Sequence, residues 1–226
     1  MLSRLSALRA PRRAELPALL RRLAHFWIVW SLLLLVHEAG HAASAWRQGR
    51  SVHRITVGVG PVLWRTTLAG EGDGQAQLVL RLIPLAGVTA LADLDGEVDG
   101  WAGWRRDVVT LGGGVLATLV LGLGIAAVVA ARERGNGTRW VWGRMLVADA
   151  LVLTVFNFLP VPPLDGGRAV VEAVAAWRGA PLAGDALMWV HVGGLALAVV
   201  PMTLWTRWTR RIDTFAMLWG APPERR

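Results

Sequence analysis

Two histidines and a glutamate lie close together near the start of the chain, in the sequence His37-Glu38-Ala39-Gly40-His41. On a helix, residues four apart lie on one face, so both imidazoles can reach a single metal ion. Zinc binds neutral imidazole nitrogens and, in catalytic sites, keeps one position open for water. Glu38 lies about 100° around the helix from His37, where it can accept a proton from that water. The pattern predicts a hydrolytic zinc centre with Glu38 as the general base.

The alternative for this pentapeptide is a pair of helical histidines that make ordinary hydrogen bonds. The surrounding sequence argues against it, because the pentapeptide interrupts an apolar stretch at 24–46. That stretch is long enough to cross a hydrocarbon layer of about 30 Å. Ionisable side chains are costly in such a setting and are treated by default as functional. We therefore favour the metal site.

A carboxylate that can complete the site follows a proline-rich break much later in the chain, at Asp165. Prolines at positions 160, 162 and 163 prevent a regular helix, and Gly166 and Gly167 permit unusual dihedrals beside the carboxylate. Taken alone, Asp165 reads more readily as the cap of a helix that begins near Arg168. Paired with the two histidines, it is predicted to be the third zinc ligand, with Glu172 as the nearby competitor.

The elements that would position these residues are mostly apolar helices. The chain has 226 residues, of which 54% are hydrophobic, and its mean hydropathy is +0.44. These values exceed those of ordinary soluble domains and favour a membrane protein. We predict about four spans, at 24–46, 108–131, 145–159 and 186–206. The fold class is mainly α, a polytopic membrane helix bundle with a small membrane-associated β-ribbon between the first and second spans.

The predicted ribbon lies at about 52–91, with strands near 54–59 and 76–83. Its signals are the β-branched residues Ile55, Thr56 and Val57, a Gly-Asp-Gly turn at 72–74, and alternating polarity after it. We expect an exposed edge that includes Val57. The ribbon belongs to one membrane domain at 23–206, between a basic N-terminal arm or in-plane helix at 1–22 and a basic C-terminal tail at 207–226.

The charge of the chain is strongly basic, with a formal net charge of +8, and all 24 basic residues are arginines. They flank the apolar stretches and form no single patch, which favours contact with anionic lipid headgroups over nucleic acid. The absence of cysteine excludes disulfides, thiolate metal sites and a cysteine nucleophile. The sequence thus predicts an integral membrane protein that binds the lipid bilayer and no nucleic acid.

The two motifs together resemble those of the site-2 protease family of intramembrane zinc metalloproteases. That family pairs HExxH with a later NPxPxxPLDG-like segment. Residues 37–41 match the first motif, and Asn157 with residues 160–166 matches most of the second, although Phe158 stands where the family usually has proline. Residues 58–61 and 84–88 resemble the segments that border the family's ribbon. The likeness covers residues 24 to about 176 and corresponds to a minimal form without a PDZ or other appended domain.

The resemblance implies an intramembrane zinc endopeptidase that cleaves a membrane-protein or peptide substrate in or near a transmembrane segment. One zinc ion would be held by His37, His41 and Asp165, and Asn157 would hold the substrate backbone or the developing oxyanion. The ribbon edge near residues 55–61 or 76–83 would pair with the unwound substrate.

The expected location is the cell (inner) membrane, with several spans. Family likeness and the arginine distribution predict opposite orientations in that membrane. The other hypotheses are an inactive membrane adaptor of the same fold, a membrane zincin of another family that uses Glu172, and, more distantly, a proton-coupled transporter.

Overall fold

The computed structural model describes residues 16–68, 75–91, 100–136, 140–182 and 184–194. Its elements are, in order, α1 (Leu16–Arg47), β1 (Val52–Leu68), β2 (Ala76–Leu91), α2 (Gly100–Asn136), α3 (Val141–Phe158) and α4 (Asp165–Arg178). Residues 184–194 are also helical. The predicted arm up to residue 15, the predicted tail and the part of the last span after residue 194 lie outside the described residues. The prediction of a mainly helical chain with a small ribbon is confirmed.

Two of the described helices are long and apolar enough to cross a membrane, Trp27–Arg47 within α1 and Gly100–Gly135 within α2. Several large apolar side chains of α2 are more than half exposed, among them Leu116, Val120, Leu123 and Val128. Exposed apolar residues on several faces of a long helix suit contact with lipid. The third predicted span forms α3, which has only 18 residues and includes Arg144 and Asp149. Length and composition therefore support two of the four predicted spans.

The turn that joins α1 to β1 is short and fully hydrogen-bonded. The Gly49 N–H donates to the carbonyl of Trp46 at 2.9 Å, and the Arg50 N–H donates to the carbonyl of Ala45 at 3.0 Å. This pair of bonds is the Schellman motif, which requires a left-handed residue, and Gly49 supplies it with φ of 72°. Because β1 begins at Val52, the ribbon starts directly beside the end of the helix that carries the histidines.

The sheet has two antiparallel strands, and both bend so that four stretches lie side by side. Residues 52–57 pair with 87–91, and residues 62–68 pair with 76–81. Residues 54–57 also pair with residues 77–80, and in this pairing the two stretches run in the same direction. Gly58 and Gly60, with φ of 91° and 84°, allow β1 to change direction between its two stretches. Residues 52–57 are therefore central in the sheet, and residues 87–91 form one outer strand.

The prediction that Val57 lies on an exposed edge is wrong. Val57 pairs with Gly87 on one side and with Leu80 on the other, and it is only 1% exposed. Its side chain belongs to a core formed with Val29, Leu33, Leu34, Ala150 and Leu153. Two members of the β-branched run that signalled a strand, Ile55 and Val57, are buried on the sheet face against α1, and Val57 also packs against α3. Burial there removes their apolar surface from solvent.

Helices α1 and α2 approach each other closely at glycines. A Cβ on Gly40 would lie 2.6 Å from the Cβ of Ala117, and a Cβ on Gly113 would lie 2.5 Å from the carbonyl oxygen of Gly40. Only glycine fits at both positions, since real side chains do not approach backbone atoms so closely. This contact places one turn of α2 directly against the histidine-bearing turn of α1.

Candidate metal centre

His37 and His41 lie on one face of α1, and each imidazole is fixed by a partner on α2. Nδ1 of His37 lies 3.0 Å from the hydroxyl of Thr118, and Nδ1 of His41 lies 2.9 Å from the backbone carbonyl of Thr110. Both rings are buried. The close contact between α1 and α2 is thus what orients the two side chains.

These partners define which ring nitrogen carries the proton. The carbonyl of Thr110 can only accept, so Nδ1 of His41 donates to it; the Gly114 N–H, at 3.3 Å from that nitrogen, is the weaker contact. The hydroxyl of Thr118 donates to the Gly114 carbonyl at 2.9 Å and so accepts from Nδ1 of His37. In both imidazoles the unprotonated nitrogen is therefore Nε2, and it faces the centre of the site.

Asp165 meets the two imidazoles at this point. Its Oδ2 lies 2.9 Å from Nε2 of His37 and 3.2 Å from Nε2 of His41, and the two Nε2 atoms are 3.2 Å apart. The carboxylate is buried, with its residue only 8% exposed. Three ligand atoms from two distant parts of the chain therefore form a triangle with sides near 3 Å.

This triangle fits a zinc ion. Tetrahedral zinc with bonds of about 2.0–2.1 Å requires ligand atoms about 3.3 Å apart, close to the separations found here. Two neutral Nε2 lone pairs and a carboxylate oxygen repel one another at such distances unless a cation lies among them. Two histidines and one carboxylate also form a common donor set of catalytic zinc sites, in which a fourth position stays open.

The break between α3 and α4 delivers Asp165 to the site. Helix α3 ends at Phe158, and α4 begins at Asp165 itself, after the prolines at 160, 162 and 163. The N-cap position of α4 is Leu164, and no side chain caps it. The alternative reading of Asp165 as a helix cap is thus not what the structure has, because its carboxylate faces the histidines.

The carboxylate of Glu38 lies beside this triangle. One ligand atom from each of His37, Glu38 and His41 can be chosen so that all three lie within 4.8 Å of one another. The Thr89 hydroxyl donates to Oε2 of Glu38 at 2.7 Å, and the side chain of Glu38 is buried against β2. A Cβ on Gly87 would lie only 2.6 Å from Cγ of Glu38. The outer strand of the sheet therefore holds the carboxylate in place.

A cavity opens next to His41, between the outer strand, the first turns of α2 and α4. Its lining comprises His41, Thr89, Leu91, Asp107, Thr110, Leu111, Arg168 and Glu172. Glu172, the competing carboxylate, lines this cavity, whereas Asp165 contacts the histidines. Burial, and then the nearby Asp107 carboxylate, raise the pKa of Glu172 above its ordinary value. The cavity gives the site an opening beside the strand.

Asn157 lies near the end of α3 and is half-buried. Its Nδ2 donates to the carbonyl of Leu153 at 2.9 Å, one turn earlier in the same helix. This bond is a local contact between a side chain and the helix backbone, and it occupies one of the two amide hydrogens. The structure therefore does not bring the Asn157 amide into the triangle of His37, His41 and Asp165.

Sequence reasoning missed three threonines that orient the site, Thr89, Thr110 and Thr118. The available signal was weak but present for two of them, since Thr110 and Thr118 are hydroxyl side chains in the otherwise apolar stretch at 108–131. Such residues in a buried helix often hydrogen-bond across a helix interface. Thr89 gave no signal of its own, because threonine is common in strands.

Comparisons with known proteins agree with the geometry. The sequence model of Peptidase family M50 matches residues 25–139 and 130–201, most of the chain. A protein of Nostoc sp. that bears the name of a zinc metalloprotease is 38% identical over 71 residues, and one of Pasteurella multocida is 42% identical over 76. The regulator of sigma-E protease RseP of Salmonella typhimurium is 40% identical over 80 residues.

These matched segments cover about a third of this chain, 31%, 33% and 35% respectively. They cover less than a fifth of the relatives' own length, 18%, 16% and 17%. The likeness to these proteins is thus local, whereas the family match extends over most of the chain. The chain belongs to peptidase family M50, the site-2 protease family of zinc metalloproteases.

Proposed function

We propose that the chain is an intramembrane zinc endopeptidase that hydrolyses a peptide bond in or near a transmembrane segment of a membrane protein. The observation that carries this proposal is that His37 and His41, on a helix apolar enough to span a membrane, meet Asp165 from α4, with the three ligand atoms within 3.2 Å of one another. Its expected location is the cell (inner) membrane, with several spans. Its other partner is the lipid bilayer.

The residues of the chain divide the chemistry among them. His37, His41 and Asp165 would hold one zinc ion, which supplies an activated water and a Lewis acid for the peptide carbonyl. Glu38 would accept a proton from the attacking water and return it to the leaving nitrogen. Asn157, whose amide has a second N–H, would donate to the substrate carbonyl or to the oxyanion that develops from it.

The outer strand at 87–91 offers a place for the substrate. A transmembrane helix hides its peptide groups, so the scissile segment must unwind and find new partners for its backbone. An extended segment that paired with the outer strand would lie beside Glu38, because Gly87 and Thr89 both contact that carboxylate. This strand replaces the stretch around Val57 as the proposed substrate-binding edge.

The test uses the full chain purified in detergent, loaded with zinc, and a pool of synthetic transmembrane peptides analysed by mass spectrometry. We expect the wild type to cleave at least one peptide, and Glu38→Gln to lower the rate by roughly 10²–10⁴-fold, since the amide cannot take the proton. The zinc content of Glu38→Gln should match that of the wild type. Chelation should stop cleavage, and added zinc should restore it.

Two results would overturn the proposal. One is a zinc-loaded wild type that cleaves no peptide of the pool, which is what an inactive adaptor would give. The other is cleavage by Glu38→Gln at the wild-type rate, which would trace the activity to a contaminating protease or to another base.

A further inference from the structure

The bond between Thr89 and Glu38 joins the outer strand to the general base. The hydroxyl of Thr89 lies 2.7 Å from Oε2 of Glu38 and 3.1 Å from the backbone carbonyl of the same residue. A hydroxyl has one hydrogen, and the shorter contact to a charged carboxylate is the stronger bond. Both groups are buried, with Thr89 9% and Glu38 4% exposed, so water does not replace this bond easily.

The two oxygens of Glu38 are treated differently by the strand. Oε2 accepts from the hydroxyl of Thr89, whereas Oε1 lies against the space above Gly87, where even a methyl group would clash. The hydroxyl of Thr89 thus fixes one oxygen of the carboxylate, and the backbone of Gly87 lies directly against the other. Free rotation of the carboxylate about its last bond would break the first contact.

Thr89 lies in the middle of the stretch at 87–91. Its main-chain partner in the sheet is Ile55, which is buried in a second core with Ala42 and Ala45 of α1. The backbone of Thr89 is therefore tied to the rigid part of the sheet while its side chain reaches the site. The hydroxyl of Thr89 therefore connects the proposed substrate edge with the proposed general base.

We infer that Thr89 is a positioning residue, which holds the carboxylate of Glu38 in the orientation that takes the proton from the attacking water. This inference rests on the proposed function and deepens it. The role belongs to the hydroxyl group of Thr89 and not to its shape, because a valine would fill the same space in the strand without donating a hydrogen bond. It also makes the position of the base depend on the position of the strand, so that a strand shifted by a poorly paired substrate would misplace the base.

The test compares Thr89→Val with Thr89→Ser in the zinc-loaded full chain, on a peptide that the wild type cleaves. We expect Thr89→Val to lower kcat about tenfold, the effect of losing a hydrogen bond to a charged group, with KM changed less than about twofold. Thr89→Ser keeps the hydroxyl and should restore most of kcat. Zinc content should be equal in all three proteins. Should Thr89→Val not fold, Thr89→Ala removes the same hydroxyl with less bulk.

The matched control is Thr56→Val, which makes the same change on the neighbouring stretch of the sheet, opposite Val88. It should leave kcat within about twofold of the wild type, since no hydrogen bond to Glu38 is lost. A second readout does not depend on activity. Thr89→Val should lower the melting temperature of the wild type but leave that of Glu38→Ala nearly unchanged, because the acceptor is already gone there.

The outcomes separate the two proposals. A wild type that is stopped by Glu38→Gln but keeps its kcat in Thr89→Val overturns the role of Thr89 alone. Equal losses of kcat in Thr89→Val and Thr89→Ser, or equal shifts of melting temperature in both backgrounds, overturn it as well. A wild type that cleaves nothing overturns the proposed function and this inference together.

Discussion

The metal side of the site (His37, His41 and Asp165) and the base side (Glu38, Gly87 and Thr89) are built by different means. On the metal side, helices supply the proposed ligands, and a neighbouring helix orients both imidazoles through Thr110 and Thr118. On the base side, a strand of the ribbon holds the carboxylate of Glu38. The hydroxyl of Thr89 donates a hydrogen bond to it, and Gly87 leaves room for it because glycine has no side chain. The metal side is thus set by helix packing, and the base side by the position of one strand.

This difference predicts that the two sides can be damaged separately. Helix contacts at glycine leave almost no freedom for displacement, so changes there should release the metal and destabilise the fold together. A strand that touches Glu38 can shift or lose a donor without moving either histidine. Zinc content and turnover number should therefore report on different sides, and the following substitutions test that separation in order of expected effect.

The largest effect should follow from Asp165→Ala, which removes one corner of the metal triangle. Zinc affinity should fall at least about a hundredfold, since a three-residue site becomes a two-residue site, and proteolysis should disappear with it. Metal analysis after gel filtration measures the loss. Glu172→Ala is the matched control, because its carboxylate lines the adjacent cavity. Equal zinc loss in both variants would contradict the assignment of Asp165.

Gly114→Val should damage the metal side through packing. A Cβ at this position would lie 2.5 Å from Nε2 of His41 and 2.8 Å from the carbonyl oxygen of His37. We expect a loss of about 1–3 kcal/mol in unfolding free energy together with weaker zinc binding. A Cβ at Gly112 on the same helix would meet no atom within 4 Å, so Gly112→Val should leave both quantities near wild type. Thermal unfolding with and without zinc measures the pair.

Gly87→Ala should damage the base side and spare the metal. The added methyl group would collide with Oε1 and Cγ of Glu38, so the carboxylate must rotate away from its bond with Thr89. Turnover should fall about tenfold or more, as expected when a general base is misplaced, while zinc content stays at the wild-type level. Gln77→Ala, at an exposed position of the same sheet, is the control. Loss of zinc in Gly87→Ala would mean that the two sides are not separable.

Thr118→Val should give the smallest effect and sharpen the comparison from the metal side. It removes the acceptor of Nδ1 of His37, and zinc affinity should fall by about tenfold. Thr154→Val is closely matched, because both threonines are buried and donate to the carbonyl four residues earlier. Among the described residues, no hydrogen bond joins Thr154 to a histidine, so its variant should bind zinc as the wild type does. Competition with a fluorescent zinc chelator measures both.

The sequence could identify the residues whose side-chain type is unusual for the surrounding sequence. His37, Glu38 and His41 are conspicuous because ionisable side chains are rare in apolar helices, and Asp165 because it follows three prolines. The structure brings the two histidines and Asp165 together, which the sequence predicted. The ligand roles themselves stay predictions until metal binding is measured.

The residues that the sequence could not identify are those whose role comes from tertiary contact. Thr89 has no unusual neighbour along the chain, and only the fold of the sheet brings its hydroxyl to Glu38. The same cause explains the error at Val57. A run of β-branched residues predicts a strand, but period-2 patterns do not say which strand is central when both strands bend back.

The separation of partners along the chain has a consequence for the order in which the site forms. Glu38 and Thr89 are 51 residues apart, whereas His37 and Asp165 are 128 residues apart. Chains fold from the N-terminus during synthesis, and closing the longer loop costs about 0.8 kcal/mol more in entropy. Glu38 and the strand that contains Thr89 can therefore come together before α4 has been synthesised. If Asp165 is the third zinc ligand, as proposed, the metal centre is complete only once α4 has been made, and a nascent chain that lacks α4 would be inactive.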